Sequence, residues 1–218
     1  MRILHVSDSH GLPPSCPDED FDVIVHSGDF CPNRSFANKT LEVPFQTYWC
    51  ENTLSWLHPK YWTVPVVITP GNHDYIDVAF QMREIGIDAR LACDNFVDVD
   101  GISFWGHPWT PEFFGWNWMC DREEMRKRLA RAAELLEQGG VDVFVSHGPM
   151  WGIFDRNREG KHCGCPELGR VLEFARHTPK ALLHGHIHEA NNVVQLDEEW
   201  DGMIISNAAL GQRIVEIS

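Results

Sequence analysis

The feature that most constrains this chain is a recurrence: short apolar runs rich in Val, Ile and Leu end, one after another, in a polar segment beside a glycine. Residues 2–7 run into Ser7-Asp8-Ser9-His10-Gly11, and residues 22–27 into Ser27-Gly28-Asp29-Phe30. Residues 64–69 run into Pro70-Gly71-Asn72-His73-Asp74, residues 141–146 into Ser146-His147-Gly148-Pro149, and residues 181–184 into His184-Gly185-His186-Ile187-His188. Runs of this length and composition read as buried strands. If the five are neighbours in one sheet, their exits share an edge, which is where α/β folds place ligands. Glycine lets the backbone turn sharply there and brings the polar side chains close together.

Residues 95–99, 102–106, 192–196, 203–206 and 213–217 also read as strands. The strongest helix signal covers residues 121–138. Asp121 can cap it with Glu124 three residues on, Met125, Leu129, Ala132 and Leu136 form its apolar stripe, and Gly139-Gly140 ends it. Residues 43–57, 78–85 and 167–177 are further helix candidates. No Pro/Ser-rich linker and no internal repeat divides the chain. The expectation is one domain over residues 1–218, with strands and helices alternating in an α/β layered fold.

Charge narrows the function classes. Eighteen Lys and Arg stand against 32 Asp and Glu, a formal net charge of −14, so nothing attracts the chain generally to a nucleic-acid backbone or an anionic membrane. Carboxylates in this excess are either a solubility surface or ligands for bound cations, and the twelve histidines make the second reading worth pursuing. No apolar stretch approaches the ~18–20 residues that span a bilayer, and Asp8 arrives too early for a signal-peptide apolar segment. Seven cysteines without such a signal favour reduced thiols. Together these readings give a soluble, cytoplasmic protein. Cys163-Gly164-Cys165 has no second cysteine pair at zinc-finger spacing and reads as structural.

Side-chain direction repeats every two residues in an extended chain, so Asp8 with His10, and His186 with His188, can each face one point. With Asp29, Asn72 and His147 they make a mixed carboxylate, amide and imidazole set large enough for two divalent ions. Such donors suit Mn, Fe or Zn better than Ca or Mg.

The ordered set D-x-H, G-D, G-N-H-D, H-G and G-H-x-H, from Asp8 to His188, resembles the signature of calcineurin-like metallophosphoesterases. The resemblance implies a four-layer α/β/β/α sandwich, two mixed sheets face to face with helices outside, and a dinuclear metal site at the strand C-terminal edge. It implies that Asp8, His10, Asp29 and His188 hold one metal and that Asn72, His147 and His186 hold the second, with Asp29 bridging. In such a centre the two cations acidify a bridging water to hydroxide, which attacks phosphorus in line. His73 is then the catalytic residue beside the metals, donating to the phosphoryl or leaving oxygen. Two further stretches, residues 146–155 and 164–168, together with 184–189 and Gly106-His107-Pro108-Trp109-Thr110-Pro111, are similar to a subgroup of small metallophosphoesterase-domain proteins active on phosphodiesters, including cyclic nucleotides. The chain departs from that subgroup at Cys31-Pro32-Asn33-Arg34.

Several residues near these motifs have two readings. Asp74 either orients His73 or serves as a capping or surface carboxylate. The tryptophan-rich segment 105–118 is either a stacking wall for a flat leaving group, or an apolar cover for the sheet or self-association patch. His107, Trp109 and Arg34 are the substrate-contact candidates; His107 reads equally as a structural hydrogen-bonding histidine, and Arg34, like Arg156 and Arg158, as either a phosphate clamp or a surface charge. His5, His26 and His184 lie within apolar strands and read as core or supporting histidines. His58, His162 and His177 carry no positional signal. The expected activity is hydrolysis of a small, nucleotide-like phosphodiester, with no long nucleic acid and no membrane as partner and the oligomeric state open, a homodimer included. A phosphomonoesterase or protein phosphatase with the same centre, and a non-catalytic binding protein on the same fold, are the alternatives.

Overall fold

A computed structural model describes residues 1–12, 15–196 and 200–218. Thirteen strands and four α-helices alternate along them: β1 (Arg2–Ser7), β2 (Val23–His26), α1 (Lys39–Thr53), β3 (Val66–Ile68), α2 (Val78–Glu84), β4 (Ala89–Leu91), β5 (Asn95–Val99), β6 (Ile102–His107), β7 (Thr110–Pro111), β8 (Met119–Cys120), α3 (Arg122–Glu137), β9 (Val143–Ser146), α4 (Pro166–Glu173), β10 (Ala181–His184), β11 (Asn192–Gln195), β12 (Ile204–Asn207) and β13 (Gly211–Glu216). One sheet has the order β13-β1-β2-β3-β4 and the other β11-β12-β10-β9-β6-β5, while β7 and β8 pair apart from both. Strands β1 to β4 are mutually parallel, as are β6, β9, β10 and β12; the antiparallel strands β13, β5 and β11 lie at the edges.

Side-chain alternation along these strands builds four layers. In β1, Ile3 faces the second sheet, while Leu4 and Val6 face the helices. Val23, Val25 and Val67 meet Phe104, Val143, Val145 and Leu183 between the sheets. Helices α1 and α2 cover the outer face of the first sheet through Cys50, Ala79 and Met82. Helices α3 and α4 cover the second through Met125, Leu129, Leu136, Leu168 and Leu172, packed on Trp105, Phe144, Leu182 and Ile205. The result is the four-layer α/β/β/α sandwich. A polar bridge crosses its centre, where His5 joins Ser27 Oγ of its own sheet's edge at 2.9 Å and Ser206 Oγ of the other sheet at 2.8 Å. No helix among the described residues is long and apolar enough to cross a membrane.

Local chemistry sets the element ends. Asp121 caps α3 by accepting the Glu124 N–H at 2.9 Å, and Gly139, at φ 70°, follows its C-terminus. Helix α1 begins at Lys39, four residues before the expected start, and carries Pro44 inside it. Its first turn is tied to the preceding loop, where buried Glu42 accepts from the Arg34 N–H at 3.1 Å and the Ser35 hydroxyl at 2.7 Å. Helix α4 stops at Glu173 rather than residue 177, because the apolar face ends at Leu172 and Phe174 points to solvent. Strand β4, three residues with an arginine at the centre, has too short an alternation to stand out in sequence.

Candidate metal centre

The C-terminal ends of β1, β2, β3, β9 and β10 meet at one edge, where the two sheets abut, and the five polar segments leave from there. Reaching inward strains the backbone. Asp8, His10, Asp29 and His186 all sit at positive φ (54°, 45°, 58° and 67°), a region that costs an ordinary residue on the order of 1–2 kcal/mol. The glycines permit contacts that no other residue allows. A Cβ on Gly28 would lie 2.3 Å from His147 Nδ1, and one on Gly185 would lie 2.1 Å from Asp8 Oδ2.

The seven side chains converge. One donor atom each from Asp8, His10 and His188 lies within 4.8 Å of the others, and the same holds for Asp8, Asp29 and His147. His147 Nε2 stands 2.9 Å from Asn72 Oδ1, 3.2 Å from His186 Nδ1 and 3.3 Å from Asp29 Oδ2. His147 Nδ1 donates to the Ser27 carbonyl at 2.9 Å, so in the neutral ring Nε2 carries the lone pair. That lone pair faces a carboxylate, an amide oxygen and another imidazole. A metal cation set among these lone pairs would satisfy them together, so the donor set fits a metal.

The electrostatics follow from burial and crowding. Burial opposes charge on Asp8, yet the bond from His188 at 3.3 Å and the charge of His147 draw it down to about 2. Burial likewise opposes charge on Asp29, but His147, with its hydrogen bond, His73 and His10 hold it well below the ordinary carboxylate range. For His147 burial favours the neutral ring, and Asp29 outweighs it, pushing the ring up to about 9. Burial first and the His147 charge second push His186 down to about 3. Two ionised carboxylates amid buried imidazoles form a cage prepared for cations.

His73 stands at the rim. Its backbone N–H donates to Asp29 Oδ1 at 2.7 Å, and its Nε2 lies 4.0 Å from Asp29 Oδ2. Its Nδ1 is held by Asn33 Oδ1, while Asn33 Nδ2 donates to the His73 carbonyl at 3.1 Å. Asn33 is thus the residue that orients the ring. Asp74 instead holds backbone. Its carboxylate accepts the N–H groups of Phe30 at 3.2 Å, Cys31 at 2.9 Å and Gly71 at 2.9 Å, which ties the exits of β2 and β3 together. Burial, with Asp29 nearby, pushes it up to about 6 against the pull of those three donors. Gln46 of α1 completes the scaffold, donating to the His73 carbonyl at 2.7 Å and accepting from the Tyr75 N–H at 2.8 Å. Sequence reasoning missed Asn33, Glu42 and Gln46.

The substrate-contact candidates are placed elsewhere. His107 is 1% exposed, between Asp94 Oδ1 and Met125 Sδ, each at 3.3 Å. Of its two readings, this burial and these partners favour the structural one. Trp109 donates its indole N–H to Asp94 at 2.7 Å and carries the Arg128 guanidinium over its ring at 4.2 Å, so it too is occupied structurally. Arg34 is exposed, and its backbone is fixed by Glu42; among the described residues its guanidinium makes no bond into the centre. Arg156 donates to the Gly160 carbonyl and Arg158 to Glu189. The tryptophan-rich segment divides between its two readings. Trp105 is buried in the core and Trp118 donates to the Asp74 carbonyl at 3.0 Å. Trp116 instead packs on the His73 ring at 4.1 Å, and Phe113 on His186 at 5.2 Å. Cys165 caps α4, its sulfur accepting the Leu168 N–H at 3.4 Å.

A solved crystal structure shares the fold over 100% of this chain and 99% of its own, with a TM-score of 0.67 at 15% identity. Metallophosphoesterase domain-containing protein 1 of Homo sapiens is 27% identical across 88% of this chain, and a UPF0046 protein of Caenorhabditis elegans is 35% identical across 44% of it. The chain spans 62% of the length of the first and 23% of the second. Residues 1–190 match the calcineurin-like phosphoesterase family model. With the sandwich, the strand-edge donor set and that match in agreement, the chain belongs to the calcineurin-like phosphoesterase family.

Proposed function

We propose that this chain is a metal-dependent phosphoester hydrolase, acting on phosphodiesters of small, nucleotide-like substrates. The observation that carries the reading is the convergence on His147 Nε2 of Asn72, His186 and Asp29 donors within 2.9–3.3 Å, beside the Asp8, His10 and His188 cluster. Asp8, His10, Asp29 and His188 would hold one divalent ion, and Asn72, His147 and His186 a second, with Asp29 shared; Mn, Fe and Zn suit these donors. When bound, the two cations supply Lewis acidity toward a phosphoryl oxygen and an acidified water as nucleophile.

The chain's own residues supply the rest. Asn33 accepts from His73 Nδ1, which leaves Nε2 as the ring atom facing the centre. In the doubly protonated ring, whose charge the Asp29 carboxylate 4.0 Å away favours, Nε2 carries a proton that passes to the phosphoryl or leaving oxygen as the ester bond breaks. Trp116 covers the His73 ring and keeps water off that face. Asn72, as a neutral ligand, limits the negative charge around the site. The preference for diesters rests on the segments similar to the phosphodiesterase subgroup.

The test compares bis-p-nitrophenyl phosphate with p-nitrophenyl phosphate on Mn²⁺-loaded protein, with metal content measured beside rate. Wild type is expected to prefer the diester, His73→Ala to keep its metal and lose most turnover, and Asp29→Ala to lose metal. A preference for the monoester would make the chain a phosphomonoesterase. No turnover across a broad phosphoester panel would make it a binding protein.

A further inference from the structure

One titratable pair, Asp155 and His162, plays no part in the reaction as derived. Asp155 is buried and acts as a hub: Oδ1 accepts from His162 Nδ1 at 2.7 Å, and Oδ2 accepts the N–H groups of Gly152 at 3.0 Å and Gly164 at 3.3 Å. Its backbone carbonyl takes the Cys163 N–H at 2.8 Å. Gly164 has to be glycine for this packing, since a Cβ there would lie 2.4 Å from the Met150 carbonyl oxygen. Residues 155–164 are therefore folded around one carboxylate, and that carboxylate fixes the plane of the His162 ring. The ring stacks on Trp151, with centroids 4.8 Å apart and an interplanar angle of 26°. Trp151 nevertheless leaves half its surface open.

His162 and Trp151 both line a cleft of about 770 Å³ that runs up to His186 and His188 of the metal centre. A phosphate alone would leave most of that volume empty, whereas small-molecule sites occupy roughly 300–1,000 Å³. Of the charged groups lining it, Glu189 is paired with Arg158, and Glu112 and Glu159 stand against Lys161, so the wall offers no surplus of positive charge for a second negative group. The stacked rings offer a flat apolar face instead.

We propose that Trp151 and His162 form the subsite for the second ester arm of a phosphodiester, an uncharged flat group, and that Asp155 is the positioning residue that holds the platform. The inference rests on the phosphodiester reading of the metal centre, and it gives that reading a structural basis for diester over monoester. Calorimetric binding of diphenyl phosphate and of inorganic phosphate to Mn²⁺-loaded protein tests it without turnover. Trp151→Ala and His162→Ala are expected to weaken diphenyl phosphate about tenfold and to leave inorganic phosphate within about twofold of wild type. Asp155→Asn, which keeps an acceptor for His162, is expected to retain most of the diester affinity that Asp155→Ala loses. Equal weakening of both ligands, or none, would overturn the subsite. Hydrolysis of bis-p-nitrophenyl phosphate by the same wild-type preparation keeps the two ideas apart. Selective binding without turnover refutes the hydrolase and leaves the subsite standing, and turnover without selective binding does the reverse.

Discussion

Removing the Asp74 carboxylate should loosen two ligand-bearing loops at once. Asp74→Ala leaves three buried N–H groups, those of Phe30, Cys31 and Gly71, without their acceptor. Each orphaned buried donor costs about 1–3 kcal/mol, so the sum is at least about 3 kcal/mol. In a chain of this size 1 kcal/mol moves Tm by roughly 2–4 °C, and the fall should be at least about 6 °C. Asp74→Asn keeps one oxygen and turns an NH₂ toward one of the three donors, so it should cost about 1–3 kcal/mol. Because the tied segments carry Asp29 and Asn72, the alanine variant should also bind less metal. Differential scanning calorimetry of the metal-free proteins, with metal content measured after reconstitution, reads both effects. An alanine variant melting within about 2 °C of wild type and loading its full complement of metal would refute the reasoning, since the loops would then be held by something else.

Three other outcomes are expected. Asn33→Ala should lower kcat about tenfold at unchanged metal content, and Asn33→Asp, which keeps the acceptor, should recover most of it; equal losses would deny the orienting role. Gly185→Ala places a methyl 1.9 Å from Ser7 Oγ and 2.1 Å from Asp8 Oδ2. It should displace Asp8 and empty the metal site, which elemental analysis would show; normal occupancy would contradict the packing. His147, pushed up to about 9 when metal-free because Asp29 outweighs its burial, must shed a proton to take a metal. Its contribution to the metal-free fold is whole below pH 6.5 and is lost as pH rises through 9. Mn²⁺ affinity should therefore rise about tenfold per pH unit up to pH 9, with about one proton released at pH 7. A flat affinity across that window would remove His147 from the ligand set.

What the sequence made legible was local. The valine-rich runs of β2, β3 and β9, the Asp121 cap with its apolar stripe and the glycine after α3 follow from neighbours a few residues away. The metal-centre residues could be read because each sits immediately after such a run. Asn33, Glu42 and Gln46 could not, since their partners come from other loops: Asn33 meets His73 forty residues on, and Gln46 meets the same loop from the far side of α1. Nothing in the periodicity of α1 marks two buried polar side chains one turn apart. His107 kept two readings for the same reason, because its neighbour Asp94 and the α3 side chain Met125 are set beside it only by folding.

The most direct test of the central claim is anomalous diffraction from crystals of the Mn²⁺-loaded protein. Two strong peaks are expected at the strand edge, one among Asp8, His10 and His188, the other among Asn72, His147 and His186, with Asp29 between them. A map with no anomalous density there, in protein that hydrolyses phosphodiesters at full rate, would contradict a metal-dependent centre.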